Sequence, residues 1–136
     1  MSKIAFTKKS MLISVIADEQ TVTGFLLTGI GQRSKDGSTN FMICNKETTD
    51  QQLEEVFASY LARNDIAIVM ISQTMAERVR NMIVEHNNDE EKILPSILEI
   101  PSKEMPYDPT KDSMLVAAAQ KLFGQEAGIE KLRSTD

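Results

Sequence analysis

Short β-branched runs alternate with helical periodicity four times along the chain, and no other feature constrains the fold as tightly. Residues 11–17 (MLISVIA), 40–44 (NFMIC), 66–71 (IAIVMI) and 96–100 (SILEI) read as strands bounded by polar or turn residues. Three of them are almost continuously apolar, which suits strands covered on both faces. Helical spacing follows each strand. Val22, Phe25, Leu26 and Ile30 recur at i, i+3, i+4 and i+8. Leu53, Val56, Phe57, Tyr60 and Leu61 do so behind Thr49-Asp50-Gln51-Gln52, a capping box in which Thr49 and Gln52 satisfy each other's amides. Thr74-Met75-Ala76-Glu77 repeats that device before Met75, Val79, Met82 and Ile83. In the last helix Asp108 reads as N-cap and Pro109 as the first helical residue; it runs through Leu115, Ala118, Ala119 and Leu122 and stops at Gly124. Four strand–helix units with right-handed crossovers predict an α/β fold: a small doubly wound parallel four-stranded sheet, order 2-1-3-4, flanked by helices. Pro95, Pro101, Pro106 and Pro109 crowd around the last strand and place it at an edge.

The expected organisation is a mobile polar arm at 1–10, a parallel α/β domain at 11–106, a C-terminal helix at 107–123 and a flexible tail at 124–136. With 136 residues, one domain is the natural reading. A formal charge of −5 and scattered basic residues give no footprint for nucleic acid. No apolar run exceeds six residues, against roughly 20 for a membrane helix, so direct membrane insertion is not expected. The single cysteine, Cys44, excludes an intrachain disulfide framework, and the single histidine, His86, excludes a His-rich metal site.

In the 2-1-3-4 order, three segments meet at the carboxyl rim of the sheet: Asp18-Glu19, Ser72-Gln73-Thr74 and Pro101-Ser102-Lys103. Paired acids after the first strand and a lysine after the last describe a degenerate receiver-like signalling or binding domain, in which acids hold Mg²⁺. A phosphoacceptor aspartate is missing, however: Asn45-Lys46 follows the second strand and Ser72-Gln73 the third. The plainer expectation is that Asp18 or Glu19 faces a helix N-terminus. Gly29 and Gly31 lie at the far end of the first helix, where they cap and exit it; a dinucleotide loop needs its glycines between strand and helix. Gly24, in mid-helix, suggests a close backbone approach. Cys44 falls in a buried strand and His86 has no nominated partner. No catalytic constellation, cofactor site or metal site emerges, which favours a binding module over an enzyme.

Particular strings go further than periodicity. Asp18-Glu19-Gln20-Thr21-Val22-Thr23-Gly24-Phe25-Leu26-Leu27 followed by Gly29-Ile30-Gly31, then Asn40-Phe41, Asn64-Asp65-Ile66-Ala67-Ile68, Ser72-Gln73 and Ala76-Glu77-Arg78-Val79-Arg80 stand in order. Pro95-Ser96-Ile97-Leu98-Glu99-Ile100-Pro101-Ser102-Lys103-Glu104, Pro106-Tyr107-Asp108 and Lys111-Asp112-Ser113 complete the set. This pattern resembles the family of F subunits of the eukaryotic vacuolar-type (V-type) proton-translocating ATPases over about residues 11–123. The resemblance implies the α/β fold derived above and no active site. It implies a rotor-stalk role, with the coiled-coil D subunit of the stalk, the catalytic A/B ring and the membrane rotor subunits as partners. It also implies a peripheral position on the cytosolic face of vacuolar or other acidified endomembranes. The chain departs from the family's usual pattern at Ala17, where glycine is common, at Met105, where histidine is common, and after Ser113, where relatives are often arginine-rich.

Two regions could grip a partner. The last helix offers Ala118 and Ala119 flanked by Leu115 and Leu122, small residues that permit close helix approach; the same stripe could equally cover the chain's own sheet. The rim offers Ser72, Gln73, Thr74, Pro101 and Ser102, uncharged groups able to hydrogen-bond a partner without stranding a buried charge.

Overall fold

The computed structural model describes residues 11–104 and 106–134; the expected arm at 1–10, Met105 and the last two residues lie outside the described residues. Four parallel strands, β1 (Leu12–Ala17), β2 (Phe41–Ile43), β3 (Ile66–Ser72) and β4 (Ser96–Ile100), form one sheet in the order β2-β1-β3-β4. β4 is an edge strand, in keeping with its flanking prolines. Registers pair Val15 with Phe41 and Met70, and Met70 with Leu98.

Helices sit on both faces. α1 (Glu19–Leu27) lies on one, where Val15, Ala17 and Val22 are buried against Phe25, Leu26, Phe41, Met70 and Ile100. α2 (Asp50–Ala62), α3 (Gln73–Arg78) and α4 (Arg80–Asn88) cover the other, closing the larger core around Ile16, Leu53, Phe57, Val69, Ile71 and Ile83. Residues alternate between the two faces along each strand, so neighbours in sequence contribute to different cores.

Local chemistry sets the element ends. Thr49 accepts from the Gln52 amide at 3.2 Å and the Gln52 side chain returns to the Thr49 amide at 3.1 Å, forming the expected capping box. α1 ends in a Schellman motif: the Gly29 amide reaches Leu26 O at 3.1 Å and the Ile30 amide reaches Phe25 O at 3.1 Å, with Gly29 at φ 90°. Ile30 therefore lies beyond the helix. Gly31, at φ 80°, sits so close to the sheet that a Cβ would lie 3.2 Å from Val15 Cγ1.

Several expectations are corrected. The Thr74–Glu77 capping box does not form, because β3 runs through Ser72 and the helix starts at once with Gln73, which puts Thr74 inside α3. The single helix expected there is two, broken at Val79 (φ −116°, ψ 22°). Gly24 has nothing within 4 Å of the point a Cβ would occupy, so no close approach within this chain explains it. The last helix of the expected scheme, α5, spans Ser113–Phe123 with Asp112 as its N-cap. Asp108 instead folds its carboxylate onto Thr110, accepting from the amide at 2.9 Å and the hydroxyl at 2.6 Å, which makes a local turn rather than a helix start. Where a tail is expected at 124–136, the chain forms α6 (Gln125–Arg133). Gly124, at φ 86°, reverses the direction in a single residue, and α5 and α6 make a tight hairpin.

Candidate functional site

The three rim segments do converge. Ser72, Thr74, Ser102 and Lys103 join Asp18 and Asn45 around a cleft of about 720 Å³ at the carboxyl ends of the strands. Three of the charges that line it, Asp18, Lys103 and Arg78, are committed to the fold; Glu19, Lys46 and Glu104 line it as well. Asp18 caps α1, accepting from the Thr21 amide at 3.2 Å and the Thr21 hydroxyl at 2.5 Å, and pairs with Lys103 at 3.6 Å. Burial pushes the Asp18 carboxyl up, but the Thr21 bonds and the Lys103 charge outweigh it and hold the group below its ordinary range. Arg78 bonds Asp50 at 2.5 Å and the Thr48 carbonyl at 2.7 Å. Of the acids and lysine that suggest a receiver, Asp18 and Lys103 are thus a helix cap and its ion-pair partner, and Glu19 is the exposed first residue of α1. Among the described residues, no group of three or more His, Cys, Asp or Glu is placed to hold a metal ion.

The nucleophile and base candidates are likewise occupied or silenced. Burial pushes the Cys44 thiol up to about 11, with Arg78 pulling weakly the other way, so its thiolate is scarce near neutrality. His86 is buried at the end of α4, with Nε2 2.7 Å from the Pro95 carbonyl oxygen.

The candidate rim residues separate into two groups. Gln73, only 3% exposed, is turned inward: its Nε2 donates to Asp108 O at 2.8 Å and its Oε1 accepts from the Asp108 amide at 2.9 Å. Ser72 is buried, and the Thr74 hydroxyl is buried without a hydrogen-bond partner. Pro101 is exposed and Ser102 half-buried, so the outward part of the rim is the loop after β4.

The four residues singled out on the last helix also diverge. Ala119 is buried against α6, where a Cβ on Gly128 would lie 2.7 Å from the Ala119 carbonyl carbon. The close approach is backbone to backbone, and it is the missing side chain of Gly128 that permits it. Leu115 (40% exposed), Ala118 and Leu122 (77% exposed) face away from that contact, with Met114 and Phe123 also exposed. This outward face is apolar and belongs to neither hydrophobic core.

A buried polar cluster escapes the sequence patterns. The Glu99 side chain, 1% exposed, accepts from Arg80 Nη1 at 2.5 Å and from the Ser113 amide at 2.9 Å. Asp112 caps the Met114 and Leu115 amides and accepts from the Tyr107 hydroxyl. Burial raises the Glu99 carboxyl above its ordinary value; Arg80 opposes that rise and Asp112 adds to it. The one available signal is an acid inside the apolar strand SILEI; the structure places Glu99 on the same sheet face as the buried Ile97.

By class, then, this is a small doubly wound α/β domain carrying a C-terminal helical hairpin, with Asp18, Lys103 and Arg78 of its rim cleft committed to structure. The chain matches the family of the ATP synthase (F/14-kDa) subunit over residues 13–117 and belongs to it. Its relatives include the probable V-type proton ATPase F subunit of Caenorhabditis elegans, 46% identical over 123 residues, covering 90% of this chain and 98% of that protein. The V-type proton ATPase F subunit of Xenopus laevis is 52% identical over 112 residues, covering 82% and 97%; that of Homo sapiens is 48% identical over 107 residues, covering 79% and 87%. A crystal structure of the F subunit of the V-type ATP synthase from Archaeoglobus fulgidus aligns with a TM-score of 0.47 at 21% identity, over 67% of this chain and 98% of that one. Among the described residues no helix is long and apolar enough to cross a membrane.

Proposed function

We propose that the chain is a noncatalytic subunit of the central rotor stalk of a V-type proton ATPase. It pairs with the coiled-coil D subunit of the stalk and transmits rotation between the catalytic A/B ring and the membrane rotor. Its place is peripheral, on the cytosolic face of vacuolar or other acidified membranes. Family membership supports the complex, and the outward face of α5 is the observation that carries the pairing. Leu115, Ala118 and Leu122 recur at helical spacing, are exposed, and carry no charge. Such a face is what a partner helix buries, and a small residue at its centre lets two backbones approach. The rim loop at Pro101 and Ser102 is a secondary contact in this reading; Ser72 and Gln73 are buried and serve the fold instead. Stable interfaces bury roughly 1,200–2,000 Å² in total, so a chain this small commits much of its surface.

Ala118→Glu tests the pairing. Ala118 is exposed, so the variant keeps its circular dichroism and its melting temperature within a few degrees. It loses copurification with the coiled-coil subunit, because a carboxylate is stranded in an apolar contact. Retained copurification at wild-type yield would move the interface elsewhere.

A further inference from the structure

No residue of α5 or α6 enters either hydrophobic core. The bonds that fasten the hairpin to the α/β layers are polar and gather at its root. The Glu99 carboxylate is shared between Arg80 of α4 and the first helical amide of α5 at Ser113. Asn87 of α4 reaches the Ser113 hydroxyl at 3.3 Å. Just before α5, Lys111 pairs with Glu77 at 3.0 Å and Gln73 clamps the Asp108 backbone. Glu77, Lys111 and Asn87 are exposed, and exposed polar pairs contribute little. Glu99 differs, because it is fully buried, charge-assisted on one side and bonded to a helix N-terminus on the other.

We propose that Glu99 is a latch: its buried carboxylate sets the angle at which the α5–α6 hairpin stands on the α/β domain. Breaking this one contact frees the hairpin as a unit while the sheet and its two cores stay intact. The cores bury their own apolar groups without it. The hairpin in turn depends on its root, since free helices of 11 and 9 residues are marginal in water. Glu99 is thus a positioning residue for the α5 face, and the latch stands whether or not that face grips a stalk.

Ser113→Pro cuts the latch from the hairpin side. Proline is favoured at the first helical position and needs an extended residue before it; Asp112 has φ −75° and ψ 106°. The substitution removes the amide from which Glu99 accepts, together with the Ser113 hydroxyl that the exposed Asn87 reaches, while leaving α5 free to form. Glu99→Ala cuts it from the sheet side. Amide hydrogen exchange on the full chain reads both. Exchange in 114–133 should accelerate by roughly ten- to a hundredfold, the range for a lost hydrogen bond to a charged group. Amides of β1, β3 and α2 should change less than about threefold. If Glu99→Ala does not fold, Ser113→Pro alone decides. Hairpin exchange equal to wild type in Ser113→Pro, a hairpin already unprotected in the wild-type chain, or hairpin and core accelerating together would each overturn the latch.

Discussion

Glu99 is a carboxylate on an edge strand with its side chain almost wholly out of water, held by one guanidinium and one amide. Its raised pKa has a definite consequence for stability. A carboxyl whose folded value lies above its unfolded one holds more protons when folded. The stability it contributes is fully present below its ordinary value near 4.5 and is lost as pH rises through the folded value. Glu99→Gln removes that titration. Urea denaturation of wild type and variant across about pH 4 to 7 should show the variant gaining on wild type as pH rises. A constant difference over that range would mean that the carboxyl titrates normally. The Thr49–Gln52 cap is legible residue by residue, because a capping box is made within four positions of the chain. The Glu99 cluster is not, because its partners Arg80 and Ser113 lie 19 and 14 residues away and nothing local names them.

At the scale of elements, strands and faces follow from period alone: all four strands appear where β-branched runs stand, in the 2-1-3-4 order. The start of α5 does not. Asp108-Pro109 and Asp112-Ser113 are both acceptable helix starts, and the choice falls to Asp112 because Tyr107 and the buried amide at Ser113 are tied there. The break at Val79 is equally hidden, since Met75, Val79, Met82 and Ile83 keep one period across it. α6 leaves little trace in the sequence because 124–136 has only Ile129 and Leu132 as large apolar residues; it is held chiefly by contact with α5. α1 carries its own test. Gly24 sits in the middle of this helix, exposed, with open space where a methyl would go. Gly24→Ala should therefore stabilise the isolated chain by about 0.5–1 kcal/mol, measured as a higher urea midpoint with unchanged slope. A loss of stability would mean that the space is not open.

Across the whole molecule, the α/β unit holds both hydrophobic cores while leaving Leu27 and Ile93 exposed, and the α5–α6 hairpin, outside both cores, turns an apolar face outward. The rim cleft has the position of a site, but Asp18, Lys103 and Arg78 are occupied there as a cap, its ion-pair partner and a loop brace. That division fits a chain whose work is contact with other subunits. The most direct test is native mass spectrometry of the complex purified from its source through a tag on this chain. The expected result is a stoichiometric assembly containing the coiled-coil subunit and the catalytic ring. Recovery of the tagged chain alone, with those subunits present in the same extract, would contradict it.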